Sequence, residues 1–121
     1  MSNIKKILLN KVSCKSIWFM RQAGRYLPEF RAIRSKNTDF IKLCLNSELS
    51  SEITLQPIER FDLDSAIIFS DILMIPFALG QNVSFNKDHG PELSNFDLKL
   101  LLENNEKKFT EKLNPVYKAI E

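Results

Sequence analysis

Two short apolar runs along the chain each end abruptly at a charged side chain. Residues 16–20 are followed by Arg21, and residues 64–70 are followed by Asp71. Both runs have the length and the apolar composition of buried β-strands. We therefore predict that these two segments are strands and that the charged residues leave from their C-terminal ends.

The segments between and after these runs contain residues that start or bend helices. Pro28 suits the first turn of a helix, and Thr38–Asp39 can cap a second helix with side-chain oxygens. Asn46 or Ser47 can cap a third helix, which Pro57 should bend because proline lacks the interior hydrogen-bond donor. We predict helices at residues 28–36, 40–45, 47–60, 71–79, 97–104 and 107–121, a short strand at 82–86 and a turn at 88–91.

A strand, a helical connection and a second strand form a βαβ pattern, in which the strands are parallel and the connection is right-handed. The C-terminal ends of parallel neighbours lie at one edge of a sheet, where α/β proteins bind their ligands. Arg21, Arg25 and Asp71 follow these ends, so we expect them to open onto one cavity. Two guanidinium groups and one carboxylate suit a ligand with several acid groups and a central N–H donor.

Composition restricts the class of protein without naming a function. The chain has 121 residues, of which 44% are hydrophobic and 26% are charged, as in one small soluble domain. A net charge of +2 gives no reason to expect a nucleic-acid or anionic-membrane partner. No apolar stretch resembles a membrane span or a cleavable signal peptide, so we predict a cytoplasmic protein.

The residue types that commonly bind metals do not form a site in the sequence. Cys14 and Cys44 do not form a C-x-x-C pair, and we predict that both are reduced thiols. His89 is the single histidine, and no cysteine or acidic residue surrounds it at the spacing of a metal site. We therefore predict that the site holds no metal.

One motif is far more specific than these patterns. Met20–Glu29 has the sequence Met-Arg-Gln-Ala-Gly-Arg-Tyr-Leu-Pro-Glu, and a second block, Ala66–Leu73, places an aspartate after an apolar run. Both blocks resemble the uroporphyrinogen decarboxylase family, whose first active-site loop has the same ten residues as the first motif. Thr54–Ile58 resembles the family's Thr-Leu-Gln-Pro segment, and Ala78–Gly80 and Gly90–Pro91 resemble further family positions.

The resemblance covers roughly residues 16–121 and implies an α/β fold. It implies the N-terminal part of a (β/α)8 TIM barrel, with parallel strands and intervening helices. Such a barrel needs about 250 residues, so we expect residues 1–121 to be one incomplete domain. Residues 1–15 would form a polar N-terminal arm, and residues 16–121 the first two strand-loop-helix units with the helix that leads to strand three. We expect a truncated gene, a split gene or a shortened chain that ends before the third strand.

The resemblance also implies the reaction, which removes CO2 from the four acetate groups of uroporphyrinogen III and gives coproporphyrinogen III. This carboxy-lyase reaction uses no metal or organic cofactor, and the full-length enzyme is expected to be a homodimer. In the resemblance the catalytic residues are Asp71, Arg21 and Arg25. The residues expected to bind the substrate are Arg21, Gln22, Ala23, Gly24, Arg25, Phe30 and Asp71.

Each of these residues also has a purely structural interpretation. Arg21 and Arg25 could pair with Glu29 or another acid on the surface, and Asp71 could cap a helix. Phe30 could belong to the hydrophobic core, and the three residues between the arginines could only shape their loop.

The function has alternatives as well. The family uses a tyrosine, a serine and a histidine from later strands, so we expect activity only in a complete barrel. The alternative is a non-catalytic product of a decayed or split gene, which at most binds a polycarboxylate porphyrinogen. A third hypothesis is a relative such as a corrinoid-linked methyltransferase, although those relatives carry a zinc site and lack the Arg-Gln-Ala-Gly-Arg loop.

Overall fold

The computed structural model describes residues 3–10, 15–16, 18–86, 90–95, 97–103 and 105–121. Most of these residues are helical, and the sheet within them has two strands. In chain order the elements are α1 (Asn3–Leu8), α2 (Pro28–Lys36), α3 (Phe40–Cys44), α4 (Ser47–Phe61), α5 (Met74–Ala78), β1 (Val83–Asn86), β2 (Gly90–Leu93), α6 (Leu98–Glu103) and α7 (Glu106–Lys118). The predicted N-terminal arm thus contains the helix α1.

Helices α2, α3 and α4 begin at the residues that the sequence predicts. Helix α2 starts at Pro28, whose missing N–H is not needed in a first turn. The side chain of Asp39 accepts a hydrogen bond from Lys42 N, and that of Asn46 accepts one from Leu49 N. These three predictions are confirmed to within one residue at each end. Capping is a local property, which explains why the sequence specifies it well.

Helix α4 continues through the predicted bend position. Pro57 lies inside this helix and is fully buried, and α4 ends only at Phe61. Asp62 then adopts a left-handed conformation with φ 48° and its backbone N–H bonds to Ile58 O, which closes the helix.

The two predicted parallel strands are wrong for the residues that the structure describes. Residues 18–20 and 64–70 are irregular, and the described sheet pairs β1 with β2 in antiparallel orientation, with Val83 opposite Leu93. The physical reason is nonlocal, because a strand needs a neighbour that donates and accepts hydrogen bonds along its edge. Side chains from other segments take that role for part of residues 64–70.

The fold is therefore a mixed arrangement of helices and a small antiparallel sheet, and the barrel stays a prediction. The strand predicted at 82–86 is confirmed as β1. Gly90 and Pro91, which were predicted to form a turn, begin β2 instead. Ile17 and the rest of that turn lie outside the described residues.

Two clusters of buried side chains hold these elements together. The first is built from Leu27, Phe30, Leu43 and Ile53, and it packs α2 and α3 against α4. The second is built from Cys44, Met74, Ala78 and Leu113, and it packs α3 and α5 against α7. Phe69 packs against both clusters. The predicted free thiol is confirmed for Cys44, and Cys14 lies outside the described residues.

Candidate functional site

The arginine loop at residues 21–27 is held by its own neighbours in sequence. The hydroxyl of Tyr26 donates a hydrogen bond to Gln22 O. From the first turns of α2, Arg31 Nη1 donates to Arg25 O at 2.8 Å and to Tyr26 O at 3.1 Å. These bonds turn the backbone of the loop back toward α2, and they satisfy carbonyl groups that no regular element would use.

The loop is also joined to the segment that leads to Asp71. Gln22 is buried, and its amide Nε2 donates to Ser65 O at 2.9 Å. The amide oxygen Oε1 of the same side chain accepts from Ile67 N, also at 2.9 Å. A single side chain thus binds both a carbonyl and an N–H group of the neighbouring segment.

Helix α4 holds the same segment further along. Ser50 Oγ donates to Phe69 O at 2.5 Å, and Thr54 Oγ1 accepts from Phe69 N at 2.8 Å. Thr54 Oγ1 in turn donates to Ser50 O at 2.6 Å. Both hydroxyl side chains are buried, so these bonds fix the backbone two residues before Asp71.

Asp71 begins the turn that leads into α5. Its carboxylate Oδ1 accepts from Leu73 N at 2.9 Å, and its carbonyl accepts from Met74 N at 3.0 Å. This local bond fixes the orientation of the carboxylate. Among the residues that the structure describes, no hydrogen bond engages the second oxygen, Oδ2. The carboxylate is therefore anchored through one oxygen, while its other oxygen is not bonded by any residue that the structure describes.

Arg25 and Asp71 line one cavity of about 380 Å³. Its walls are formed by Arg25, Phe30, Arg34, Phe40, Asp71, Ile72, Leu73, Phe85 and Pro91. The cavity thus combines two guanidinium groups and one carboxylate with several aromatic and aliphatic side chains. Such a set suits an apolar ligand that carries acid groups at its edge.

Arg34 is a residue of this cavity that the sequence reasoning missed. Its Nη1 donates to Asn37 O, and its guanidinium carbon lies 5.6 Å from the centre of the Phe40 ring. The available indication was helical spacing, because Arg34 stands four residues after Phe30 in α2 and therefore shares its face. Phe30 itself is both a core residue and part of the cavity wall.

Arg21 lies elsewhere, so the expectation of a single shared cavity is wrong for this residue. It lines a second cavity of about 560 Å³ together with Lys15, Phe19, Gln22, Tyr26, Phe61, Asp62, Leu63 and Asp64. Residues four apart lie on one side of a helix, but the loop here is irregular, and the two arginines diverge.

The small residues of the motif line neither of these two cavities. Ala23 packs against the first core cluster. A methyl group placed on Gly24 would meet only the Tyr26 ring, at 3.7 Å, which is an ordinary contact. The structure thus places these two residues in the body of the loop.

Two ionisable groups have shifted pKa values. Burial first, and then the negative charge of Asp71, raise the pKa of the Cys44 thiol to about 12, while Arg34 opposes the shift. Glu29 has a lowered pKa, first because it accepts hydrogen bonds from Arg60. Arg60 binds both oxygens of Glu29 at 2.9 Å.

The ion pair of Glu29 with Arg60 bears on one structural interpretation of the motif. Glu29 was the acid named as a surface partner of Arg21 or Arg25, but it binds Arg60 instead. Within the described ranges, no ion pair engages either arginine of the loop. Both guanidinium groups are exposed and available to a ligand.

The described residues contain no group of three or more histidine, cysteine and acidic side chains that could hold a metal ion. None of the helices within them is long and apolar enough to cross a membrane.

Comparison with known proteins agrees with the motif. The sequence model of the uroporphyrinogen decarboxylase family matches residues 5–121. The chain belongs to the uroporphyrinogen decarboxylase family. The uroporphyrinogen decarboxylase of Photobacterium profundum is 55% identical over 89 residues, which is 74% of this chain and 25% of the relative. That of Vibrio vulnificus (strain YJ016) is 52% identical over 92 residues, covering 76% of this chain and 26% of the relative.

A third relative of this uroporphyrinogen decarboxylase family extends the match. The uroporphyrinogen decarboxylase of Agrobacterium fabrum is 50% identical over 104 residues, which is 86% of this chain and 30% of the relative. The chain therefore spans roughly a quarter of the length of the curated relatives that it matches.

Proposed function

We propose that the cavity between Arg25, Arg34 and Asp71 is part of the substrate site of a uroporphyrinogen decarboxylase. The observation that carries this proposal is the placement of two guanidinium groups and an incompletely bonded carboxylate around one apolar cavity. Membership of the family and the motif Met20–Glu29 support it. In this proposal the complete enzyme is a carboxy-lyase, to which this chain contributes the arginine loop and Asp71.

The reaction explains why a carboxylate is needed. Direct loss of CO2 from an acetate arm would leave a carbanion, so the pyrrole carbon that bears the arm is protonated first. The ring then becomes a cation and accepts the electron pair of the breaking C–C bond. Asp71 would accept N–H bonds from the pyrroles and oppose the positive charge as it develops. Each such charge-assisted bond is worth about 1.5–3 kcal/mol. No cofactor is required for these steps.

The arginines suit the acid groups of the substrate. A guanidinium group holds a carboxylate by two parallel N–H···O bonds. We assign Arg25 and Arg34 to acid groups above the cavity and Arg21 to an arm that extends toward the second cavity. An arginine keeps its proton throughout the working pH range and is therefore a poor general acid, so we assign these residues to binding and not to proton delivery.

The finer features are proposed from the family alone. They are the conversion of uroporphyrinogen III to coproporphyrinogen III, action in the cytoplasm without a nucleic-acid partner, and a homodimer of the complete enzyme. A second candidate function is binding of a polycarboxylate porphyrinogen without turnover. It rests on the same cavity, whose Arg25, Arg34 and Asp71 suit a ligand with several acid groups.

The proposed site is tested by titrating the purified chain with uroporphyrin, the oxidised form of the substrate, and following its fluorescence. Asp71→Asn should weaken binding, because the charge that accepts the pyrrole N–H groups is lost. Asp97→Asn is a matched control: Asp97 Oδ1 accepts from Lys99 N at 2.9 Å, the same local bond, but it lies outside the cavity. Equal affinity in the wild-type chain and Asp71→Asn would contradict the proposed site.

A further inference from the structure

We propose that Gln22 is a positioning residue whose side chain fixes the distance between Arg25 and Asp71. It does so by bonding the arginine loop to the segment that carries the aspartate. The consequence for ligand binding rests on the proposed function, but the bonding role does not. Gln22 was expected to contact the substrate through its amide, and the structure assigns that amide to the protein backbone.

The geometry of the amide carries this inference. Gln22 is only 4% exposed, and its donor and its acceptor each bind the neighbouring segment at 2.9 Å. The two backbone groups are Ser65 O and Ile67 N, which stand two residues apart in one irregular segment and bind the same side chain. A primary amide offers one acceptor beside one donor group. The Gln22 side chain therefore takes the place of a residue in a neighbouring strand.

The position of this bond explains its effect on the site. Gln22 lies three residues before Arg25, and Ile67 lies four residues before Asp71. Among the described residues, no backbone–backbone hydrogen bond joins the loop at 21–27 to the segment at 64–70. The hydrogen bonds between these two stretches therefore come from one side chain. Losing them would release the arginine loop from this segment while α4 still holds Phe69. Arg25 would then lose its fixed distance to Asp71, which would weaken the binding of a ligand that bridges both.

The test uses amide exchange of the 121-residue chain, followed by NMR at the Ile67 N–H. Gln22→Met keeps the length of the side chain but removes both polar groups. It should raise the exchange rate of Ile67 by roughly tenfold at neutral pH. The exchange rate of Ile53 in α4 should stay unchanged, which excludes global unfolding as the cause. Gln81→Met is the matched control, because Gln81 Nε2 also donates to a backbone carbonyl, Ser94 O, at 2.6 Å.

Gln22→Glu adds a pH-dependent rescue. A protonated carboxyl group can donate to Ser65 O and accept from Ile67 N, so at about pH 5 the variant should approach the wild type. An ionised carboxylate would face the Ser65 carbonyl in a buried position, which raises the pKa of the introduced acid. Folding then favours the protonated form, so protection is lost as the pH rises through that raised pKa. The charged side chains of the adjoining cavity are Lys15, Arg21, Asp62 and Asp64, and dividing each rate by the wild-type rate at the same pH removes their contribution.

The outcomes separate the bonding role from the proposed function. Fast exchange of Ile67 already in the wild type, or no change in Gln22→Met, overturns the proposal. If exchange changes as expected, uroporphyrin affinity should fall by roughly tenfold in Gln22→Met and recover in Gln22→Glu at low pH. Unchanged affinity for uroporphyrin would also overturn the positioning role. Exchange that responds as expected in a chain that never binds uroporphyrin supports the link and rejects the proposed function alone.

Discussion

The two apolar runs that look alike in sequence have opposite environments in the structure. Residues 18–20 have exposed side chains, with Trp18 at 52% and Met20 at 72%. Residues 65–69 are mostly half-buried, and hydroxyl and amide side chains bind their backbone. Strand-like composition therefore does not determine whether a segment is buried or whether its backbone groups find hydrogen-bond partners. What differs is the set of polar side chains in the surrounding elements.

The largest expected effect concerns the aspartate at the end of the second run. The test uses a chimera that joins this chain to the remainder of the Photobacterium profundum relative, of which the match covers 25%. In that chimera, Asp71→Asn should lower turnover by about 10²–10³-fold, because the charge opposing the cationic ring is lost. The fold should persist, since an asparagine oxygen can still accept from Leu73 N. Turnover is measured by chromatography of the porphyrin products, with Asp97→Asn as control.

Near-normal turnover by the Asp71→Asn chimera would reject the electrostatic role. Turnover by the unextended 121-residue chain would contradict a second expectation, namely that activity requires the complete barrel. It would mean that Arg21, Arg25 and Asp71 suffice.

The sequence predicted the parts of this molecule that depend on local chemistry. Pro28, Asp39 and Asn46 start helices because a cap acts within three residues. The state of residues 18–20 and 64–70 depends on distant neighbours, which a single sequence does not specify. Only a part of the site was predicted, for the same reason. Arg25 and Asp71 line one cavity, but the path of the irregular loop sends Arg21 to another.

A second prediction concerns Cys44. Its pKa is raised in part by the negative charge of Asp71, the residue that follows the second run. Its pKa of about 12 against a usual 9.0 means that the thiolate is scarce at neutral pH. In a Cys14→Ser background, alkylation of Cys44 at pH 8 should be on the order of 10²-fold slower than in unfolded chain. Asp71→Asn should speed it, because removing a negative charge lowers the thiol pKa. The rate is measured by mass spectrometry after iodoacetamide treatment.

The same thiol sets a pH limit on stability. A group with a raised pKa in the folded state holds its proton more tightly there, so its contribution is complete below about pH 9. Stability should then fall as the pH rises from about 9 toward 12. Cys44→Ala should flatten this part of the profile, and equal slopes in both proteins would show that Cys44 is not responsible.

A third prediction concerns Thr54, whose hydroxyl accepts a hydrogen bond from the backbone of the second run. Thr54→Val keeps the shape but leaves Phe69 N without an acceptor in a half-buried position. We expect a loss of about 1–3 kcal/mol in the free energy of unfolding, because an unsatisfied buried donor keeps its desolvation cost. Ser35→Ala is the control, since Ser35 also bonds a backbone carbonyl but is exposed. Denaturant titration measures the difference, and equal losses in both variants would contradict the argument.

The smallest effect concerns the first run. We expect the 121-residue chain to associate with itself, because exposed apolar patches recruit other chains. Trp18→Lys with Phe19→Lys should raise the concentration at which association begins by roughly fivefold, about 1 kcal/mol. Leu102→Lys, at another exposed apolar site, on α6, is the control. Light scattering across a dilution series measures the onset, and a wild type that stays monomeric at every concentration would show the expectation wrong.

Phe69 sits at the boundary of both core clusters, and this has a consequence for cooperativity. Its ring packs edge-to-face against the rings of Phe30 and Phe40. The distances between ring centres are 5.7 Å to Phe30 and 6.0 Å to Phe40. Helix α4 holds its backbone at both the N–H and the carbonyl. The two clusters therefore cannot separate unless the Phe69 ring loses its contacts with both of them. The two halves of the interior should melt in a single transition, and the carboxylate two residues later keeps its place until that transition.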